Sequence, residues 1–295
     1  MLVAHVEQDG VWLVRGGMVR VAQALQALAE RQGARFRFGA PVAELLVEDG
    51  RASGVRLADG ERIPADAVVF NGDASALARG MLGAASRGAV ADTPDAARSL
   101  SAVTWRARVP TSGFPLMHHN VFFAEDYAEE FDAIFRRRTI CAAPTVYVCA
   151  QDRGTGEVAE GAAERLLLLI NAPPDGDRRD FMPDLPGLAE RTQAILRACG
   201  LELDLPAEAT TPTGFDALFP GSGGALYGRA GHGATGTFAR AGGVTRLPGL
   251  YCAGGSVHPG PGIPMAAMSG RLAAARVLQD LAGGPRRTIM LPAPA

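Results

Sequence analysis

The apolar positions of this chain change period along its length, and the changes mark out elements. Val21, Leu25, Leu28 and Ala29 recur at i, i+4, i+7 and i+8, which predicts a helix that follows Gly16-Gly17 and stops at Gly33. Arg35-Phe36-Arg37-Phe38 alternates and predicts a strand, closed by the turn Gly39-Ala40-Pro41. A second strand is expected over Val42–Val47, with Asp49-Gly50 as a hairpin turn. Val55-Arg56-Leu57 alternates again, and Asp59-Gly60 makes another tight turn. Ala67–Phe70 is a short continuous apolar run, the pattern of a strand buried on both faces.

Beyond Asn71-Gly72-Asp73 the style shifts. Helical stretches are expected at 74–82 and 187–199, and strands at Val103–Val109, Thr145–Cys149 and Leu166–Asn171, joined by linkers rich in Gly, Pro and Asp. The first style then returns, with a buried strand at Leu250–Ala253, a glycine-rich loop at 254–262 and a helix from Ile263 to about Leu281. Met265, Met268, Leu272, Ala275 and Leu278 are spaced for one buried face of that helix, and Gly283-Gly284-Pro285 ends it. The predicted organisation is an α/β domain split between 1–73 and 246–287, with a mixed α+β domain inserted over 74–245 and a loose tail at 288–295.

Composition narrows the classes. The 295 residues are 47% hydrophobic and 20% charged, a globular balance, and the net charge of −2 leaves no footprint for nucleic acid. All 29 residues counted as Lys or Arg are Arg. Cys141, Cys149, Cys199 and Cys252 form no CxxC, and no His lies at metal-ligand spacing from them along the chain. They are read as reduced thiols, and no metal site is expected. The longest apolar run, Leu166–Ile170, is far too short to span a bilayer, and Met1-Leu2-Val3-Ala4 does not begin a signal peptide. The expected location is the cytoplasm.

A buried strand feeding a glycine-rich loop and then a helix is a device for holding an anion or a polar cofactor. Glycine lets backbone approach a ligand closely, and the helix start offers unpaired N–H groups and the positive end of its dipole. Pro264 suits the first helical turn, so the useful donors are the N–H groups of Gly262, Ile263 and Met265. On spacing alone, a plain strand-to-helix turn is an equal reading.

The whole string Gly249-Leu250-Tyr251-Cys252-Ala253-Gly254-Gly255-Ser256-Val257-His258-Pro259-Gly260-Pro261-Gly262-Ile263-Pro264-Met265, followed by Ser269-Gly270-Arg271, closely resembles the C-terminal FAD motif of phytoene desaturase-type carotenoid desaturases in the amine oxidase superfamily. The form is most similar to the bacterial 3,4-desaturases of hydroxy- and methoxycarotenoids. Arg15-Gly16-Gly17-Met18 matches the family's turn near the flavin ring, and Val42 sits where the family places a backbone contact to the adenine. Phe70-Asn71-Gly72-Asp73 matches a strand end, and His118-His119-Asn120-Val121-Phe122-Phe123 resembles a signature of the inserted domain. Gly223-Gly224-Ala225-Leu226-Tyr227-Gly228, with His232-Gly233, matches a loop near cofactor and substrate.

The resemblance implies a glutathione-reductase-like FAD-binding domain carrying an inserted substrate domain, and an enzyme that passes hydride from an acyclic carotenoid to FAD. It implies cofactor contacts at Arg15, Gly16, Gly17, Met18, Val42, Asn71, Asp73, Gly254, Gly255, Ser256, Gly262, Ile263, Pro264 and Met265. It implies substrate contacts at His118, Gly224 and Tyr227. For a flavin, a helix N-terminus near N1 and the C2 carbonyl stabilises the negative charge of the reduced ring. The substrate class places the work at the inner face of a membrane.

The chain departs from the family pattern in one large respect. It has no strand-GxGxxG-helix unit with a following acidic residue. The expectation is therefore an incomplete FAD-binding domain without its N-terminal βαβ unit, with that front half supplied as a separate chain or missing, weak FAD binding and a tendency to aggregate. No proton acceptor is identified. Glu125, Asp126, Glu129, Glu130 and Asp132 are read as a solvated helix face. His118-His119 either lines the substrate path or is a hydrogen-bonded strand-end pair, the second being favoured. The stretch Asp126–Arg138, with Tyr127, Phe131, Ile134 and Phe135 on one face, is either an ordinary core helix or a contact with anionic lipid, the first being favoured. The rival functions are another flavoenzyme of the superfamily (a carotenoid isomerase, retinoid saturase or amine oxidase), or a non-catalytic remnant that binds carotenoid or a partner subunit.

Overall fold

The computed structural model describes residues 8, 10–154, 158–159, 161–231 and 239–283. His232-Gly233 and the tail from 284 lie outside the described residues. In chain order the main elements are α1 (Val19–Arg31), β1 (Val42–Glu48), β2 (Arg51–Leu57), β3 (Arg62–Pro64), β4 (Val68–Phe70) and α2 (Ala74–Ala78). Then come β5 (Ser101–Val109), β6 (His119–Phe122), α3 (Tyr127–Asp132), β7 (Val146–Ala150), β8 (Glu164–Ala172), α4 (Leu185–Ala198), α5 (Pro212–Leu218), β9 (Leu250–Cys252) and α6 (Ile263–Leu281).

Three sheets result. β5, β8, β7 and β6 form an antiparallel sheet in that order. Its strands alternate as one-sided strands do: along β8, Leu166, Leu168, Ile170 and Ala172 are buried while Arg165 is exposed. Their core face packs with Val103, Trp105, Val146 and Val148 and with Leu188 and Leu196 of α4. Burial of each large aliphatic side chain there contributes about 1.5–3 kcal/mol. β1, β2 and β3 make a small antiparallel meander. β4 and β9 pair in parallel, Val68 with Leu250 and Phe70 with Cys252, across most of the chain. The meander leans on this pair, since the Ala52 N–H donates to Pro248 O at 2.8 Å.

The elements predicted in the middle of the chain form within two or three residues of their expected ends, except that the helix at 74–82 stops at Ala78. Elsewhere the structure corrects the pattern. Residues 35–38 form no strand; Phe36 and Phe38 stack on each other at 6.0 Å and stay exposed. Alternation alone does not make a strand when no neighbour accepts its ladder. α1 forms but buries none of its residues. In α6 the expected apolar face is not the packed one: Ser269 and Ala273 are buried, while Met268 is 37% and Leu278 68% exposed. The small side chains win that face because they let the helix approach β9 closely.

The stretch Asp126–Arg138 is α3 followed by a π-helical turn at Ala133–Arg137. Its carboxylates are not all solvated. Glu130 is fully buried and accepts hydrogen bonds from the Thr145 N–H at 3.2 Å and the Asn171 amide at 3.0 Å. A second buried polar group fixes the approach to the inserted sheet. Arg98, 2% exposed, grips Asp177 with two hydrogen bonds of 2.9 and 2.6 Å, and Arg79 reaches the same carboxylate at 3.3 Å.

Glu164, 1% exposed at the start of β8, takes hydrogen bonds from Arg153 at 2.7 and 2.8 Å and from the Thr111 hydroxyl at 2.6 Å. The Arg153 hydrogen bond holds its carboxyl below the usual range against the opposing effect of burial. A carboxyl depressed in the folded state contributes stability above its unfolded pKa of about 4.3 and loses it as pH falls through the folded value. Glu164→Gln is expected to cost about 1–3 kcal/mol at pH 7. It should also flatten the acid-side decline in urea stability below about pH 4.5. An unchanged acid limb in the variant would show that Glu164 is not among the groups that drive it.

Candidate cofactor site

The site begins where the parallel pair ends. In open α/β sheets ligands sit beyond the carboxyl ends of the strands, and here Asn71–Asp73 leave β4 beside Ala253–Ser256 leaving β9. The Asn71 amide donates to Ala253 O at 3.0 Å and locks the two ends together. Gly254 has φ +122, and a Cβ there would lie 2.9 Å from the Asn71 amide nitrogen. Its N–H donates to Ser269 Oγ at 2.8 Å, and the Ser269 hydroxyl donates to Ala266 O at 2.7 Å. Ser269 therefore moors the loop to α6.

Asp73 and Ser256 have structural duties of their own. Asp73 accepts the Ser75 N–H at 2.9 Å as N-cap of α2, and Ser256 Oγ accepts the Ala74 N–H at 3.3 Å. At the far end of the loop Gly262, φ +98, enters α6 with no side-chain cap and with open space where a Cβ would be. Pro264 has no N–H, and residues 262–264 are exposed, so the first turn of this 19-residue helix is open at its start.

Asn71, Asp73, Gly255 and Ser256 line a cavity of about 200 Å³ together with Phe215, Phe219 and Leu226. That volume takes a ring-sized fragment, so these residues supply part of the surroundings of a dinucleotide. A larger cavity of about 740 Å³ lies elsewhere, around 109–115 and 202–204, but its Arg153 and Glu164 are spent on each other. Gly224 is buried, with Pro212 O only 2.4 Å from where its Cβ would be, whereas Tyr227 is 45% exposed.

Sequence reasoning missed Arg240. Its guanidinium donates to Tyr227 O at 2.6 Å and lies beside Gly260 and Gly228, between the two glycine-rich loops. Burial, with the charge of Arg229 behind it and Asp73 opposing, lowers its pKa. Among the described residues no carboxylate lies within ion-pair distance of it. No motif marks Arg240 in the sequence; a lone arginine in a Gly-Ala stretch is the only signal.

Other expected residues lie apart from this centre. Arg15–Met18 form an exposed turn, closed by the Gly17 N–H on Val14 O at 2.9 Å, and Val42 is 40% exposed at the start of β1. His118 is not at the loop either. It joins His119, Tyr147 and Cys149 at the β6–β7 end of the inserted sheet, where the register sets His119 opposite Cys149. The sequence reading found no histidine spaced for these cysteines; the strand pairing supplies two. Burial, then the hydrogen bond and charge of Cys149, push the Tyr147 phenol up to about 12.

Gly254→Ala tests the loop. It forces a side chain into φ +122 and against Asn71, and should cost about 1–3 kcal/mol in thermal or urea unfolding. Gly270→Ala, where nothing lies within 4 Å, should be near neutral or slightly stabilising. Equal effects would mean that the loop tolerates other geometries.

Residues 2–278 match the family described as flavin containing amine oxidoreductase. The chain is 57% identical over 285 residues to a hydroxyneurosporene desaturase of Rubrivivax gelatinosus, covering 95% of this chain and 54% of that protein. It is 47% identical to the hydroxyneurosporene desaturase of Cereibacter sphaeroides, over 97% of this chain and 57% of the other. It thus spans about half the length of the curated relatives it matches. A crystal structure of an oxidoreductase from Methanosarcina mazei has a similar fold, with a TM-score of 0.50 at 18% identity, over 90% of this chain and 54% of that one. The strand-loop-helix at 249–265 and the match that runs almost end to end agree, and the chain belongs to the flavin containing amine oxidoreductase family.

Proposed function

We propose that this chain carries the C-terminal FAD loop and the substrate-side sheet of an FAD-dependent desaturase. Its reaction is the introduction of a double bond, at the 3,4 position, into an acyclic 1-hydroxy- or 1-methoxycarotenoid. The observation that carries the reading is the moored loop 254–262 opening into the uncapped start of α6 at the end of a parallel strand pair. The relatives' names supply the substrate class.

FAD, when bound, supplies the hydride acceptor. The N–H groups of Gly262, Ile263 and Met265 would face its negative charge, and Arg240 would neutralise an anionic part of it. Asn71, Gly254 and Gly255 hold the backbone close enough for contact, and Asp73 and Ser256 hold α2 in place behind them. In this reading residues 1–73 and 246–287 form the cofactor part and 74–245 the substrate part, in a glutathione-reductase-like arrangement. The exposed apolar residues Trp12, Met18, Leu25 and Leu28 are then covered by the further polypeptide that the longer relatives contain.

The substrate is insoluble in water, and a surface on the inserted sheet suits delivery from lipid. Met117, Phe123 and Tyr127 are 71%, 71% and 54% exposed near one another in sequence, and Phe123, Tyr127, Phe131 and Phe135 meet ring to ring in a row, the first two contacts edge-on and the last stacked. Arg137 pairs with Glu129, and Arg136 with Asp132, so such a contact would be apolar rather than electrostatic. No helix among the described residues is long and apolar enough to cross a membrane.

The test is a flavin titration followed by anaerobic mixing with a hydroxycarotenoid, for the chain alone and with the front segment of a relative supplied. Flavin bleaching with a red-shifted polyene spectrum is expected in the second case; bleaching by amines but not polyenes would overturn the substrate class. Arg240→Met should weaken FAD binding by about tenfold to a hundredfold, the loss of one or two charge-assisted hydrogen bonds. Unaltered affinity would remove Arg240 from the site.

A further inference from the structure

We propose that His118, His119 and Cys149 form a zinc-class metal site at the rim of the inserted sheet, with Tyr147 orienting one of the ligands. The inference is independent of the desaturase reading. One ligand atom from each of the three residues can be chosen so that all lie within 4.8 Å of one another. His118 Nε2 is 3.8 Å from Cys149 Sγ. An ion at about 2.3 Å from sulfur and about 2.0–2.1 Å from nitrogen would bridge that gap at an angle of roughly 120°, near the tetrahedral range. His119 supplies the third ligand atom from within 4.8 Å of the other two, and its exposed ring has room to close that distance.

The frame around the three ligands is built rather than incidental. His119 and Cys149 are directly opposite in the β6–β7 ladder, so their side chains share a face. In a continued strand His118 would point to the other face. A bend at Met117–His118 turns it back, and Asn120 locks that bend: its Oδ1 accepts the Met117 N–H at 2.8 Å, and its amide donates to Met117 O at 2.7 Å and to Val148 O at 3.1 Å. Ala150 N–H donates to His118 O at 2.9 Å from the other side. Gly154 lies under the His118 ring, where a Cβ would be 2.8 Å from Nδ1 and 2.5 Å from Leu13.

The chemistry of the donors is apt. One thiolate and two imidazoles are the ligands of zinc-class cations, and three protein ligands leave a fourth position open. Metal-bound imidazoles usually use their second nitrogen on an outer partner. His119 Nδ1 lies 2.7 Å from the Tyr147 hydroxyl. With Nδ1–H donating to that oxygen, Nε2 keeps its lone pair for the ion. His118 Nδ1 is buried with no hydrogen-bond partner, so its ring is positioned by packing alone. Binding would take the proton from Cys149 and release it to solvent.

The experiment is a Co²⁺ titration of the metal-stripped full chain, read by the thiolate-to-cobalt charge-transfer band and the intense visible bands of four-coordinate cobalt, with Zn²⁺ as competitor. One equivalent of Co²⁺ should give both signals, and Zn²⁺ should displace it. Cys149→Ser should abolish the charge-transfer band, while Cys199→Ser, at the exposed cysteine, should leave it intact. Tyr147→Phe should weaken binding by about tenfold to a hundredfold, the loss typical of removing an outer partner. His119→Gln, at an exposed position, carries the test if Cys149→Ser does not fold, and should weaken binding at least as much. Absence of a thiolate band in the wild type, or its persistence in Cys149→Ser, would overturn the site.

Discussion

Everything at the cofactor centre depends on the parallel pairing of β4 with β9. Three residues on each side make the ladder, yet it joins positions 182 residues apart, as the Asn71–Ala253 hydrogen bond shows. Closing so long a loop costs about 4–5 kcal/mol before any contact is rewarded. The packing of Leu45, Leu77, Leu250, Cys252 and Val257 around the pair offsets that cost, and polar ties through Asn71 and Ser269 set the angle at which the loop leaves the strand. The opening of α6 is a consequence of those ties, because they decide where residue 262 must stand.

The inserted sheet obeys a different constraint. Its four strands are antiparallel and covered on one face by α4, so it can form its core from residues 101–205 alone. Its charged groups are placed where they have partners: Glu130 of α3 against Thr145 and Asn171, Glu164 beneath Arg153 and Arg98 against Asp177. Each is costly to bury alone and acceptable when an opposite charge or hydrogen-bond donors meet it.

How much of this was legible in the sequence differs by element. β5 and α4 could be read directly because each has a one-sided period that its burial reproduces, whereas β8 is a continuous apolar run whose alternate burial shows only in the fold. The 254–262 loop was legible because its glycines and Pro264 answer to backbone geometry, which is local. Phe36 and Phe38 misled because alternation reports a strand's face but not its neighbour. In α6 the apolar stripe pointed one way and the close packing of Ser269 and Ala273 another, since helix-to-sheet distance favours small residues. Arg240 and the meeting of His118, His119 and Cys149 were not legible at all. Each arises from registers and loop crossings between segments far apart in sequence, and no local pattern encodes them.

The separation of β4 from β9 also has a consequence in time. On a ribosome adding roughly 5–20 residues each second, the first strand of the pair emerges some ten to thirty-five seconds before the second. During that interval the inserted sheet has everything its core needs, while Val68–Phe70 has none of its final neighbours across the ladder. The order of folding is thereby imposed by synthesis: the inserted unit first, the clasp last. An apolar strand kept waiting in this way is a natural client for a chaperone that shields short hydrophobic segments.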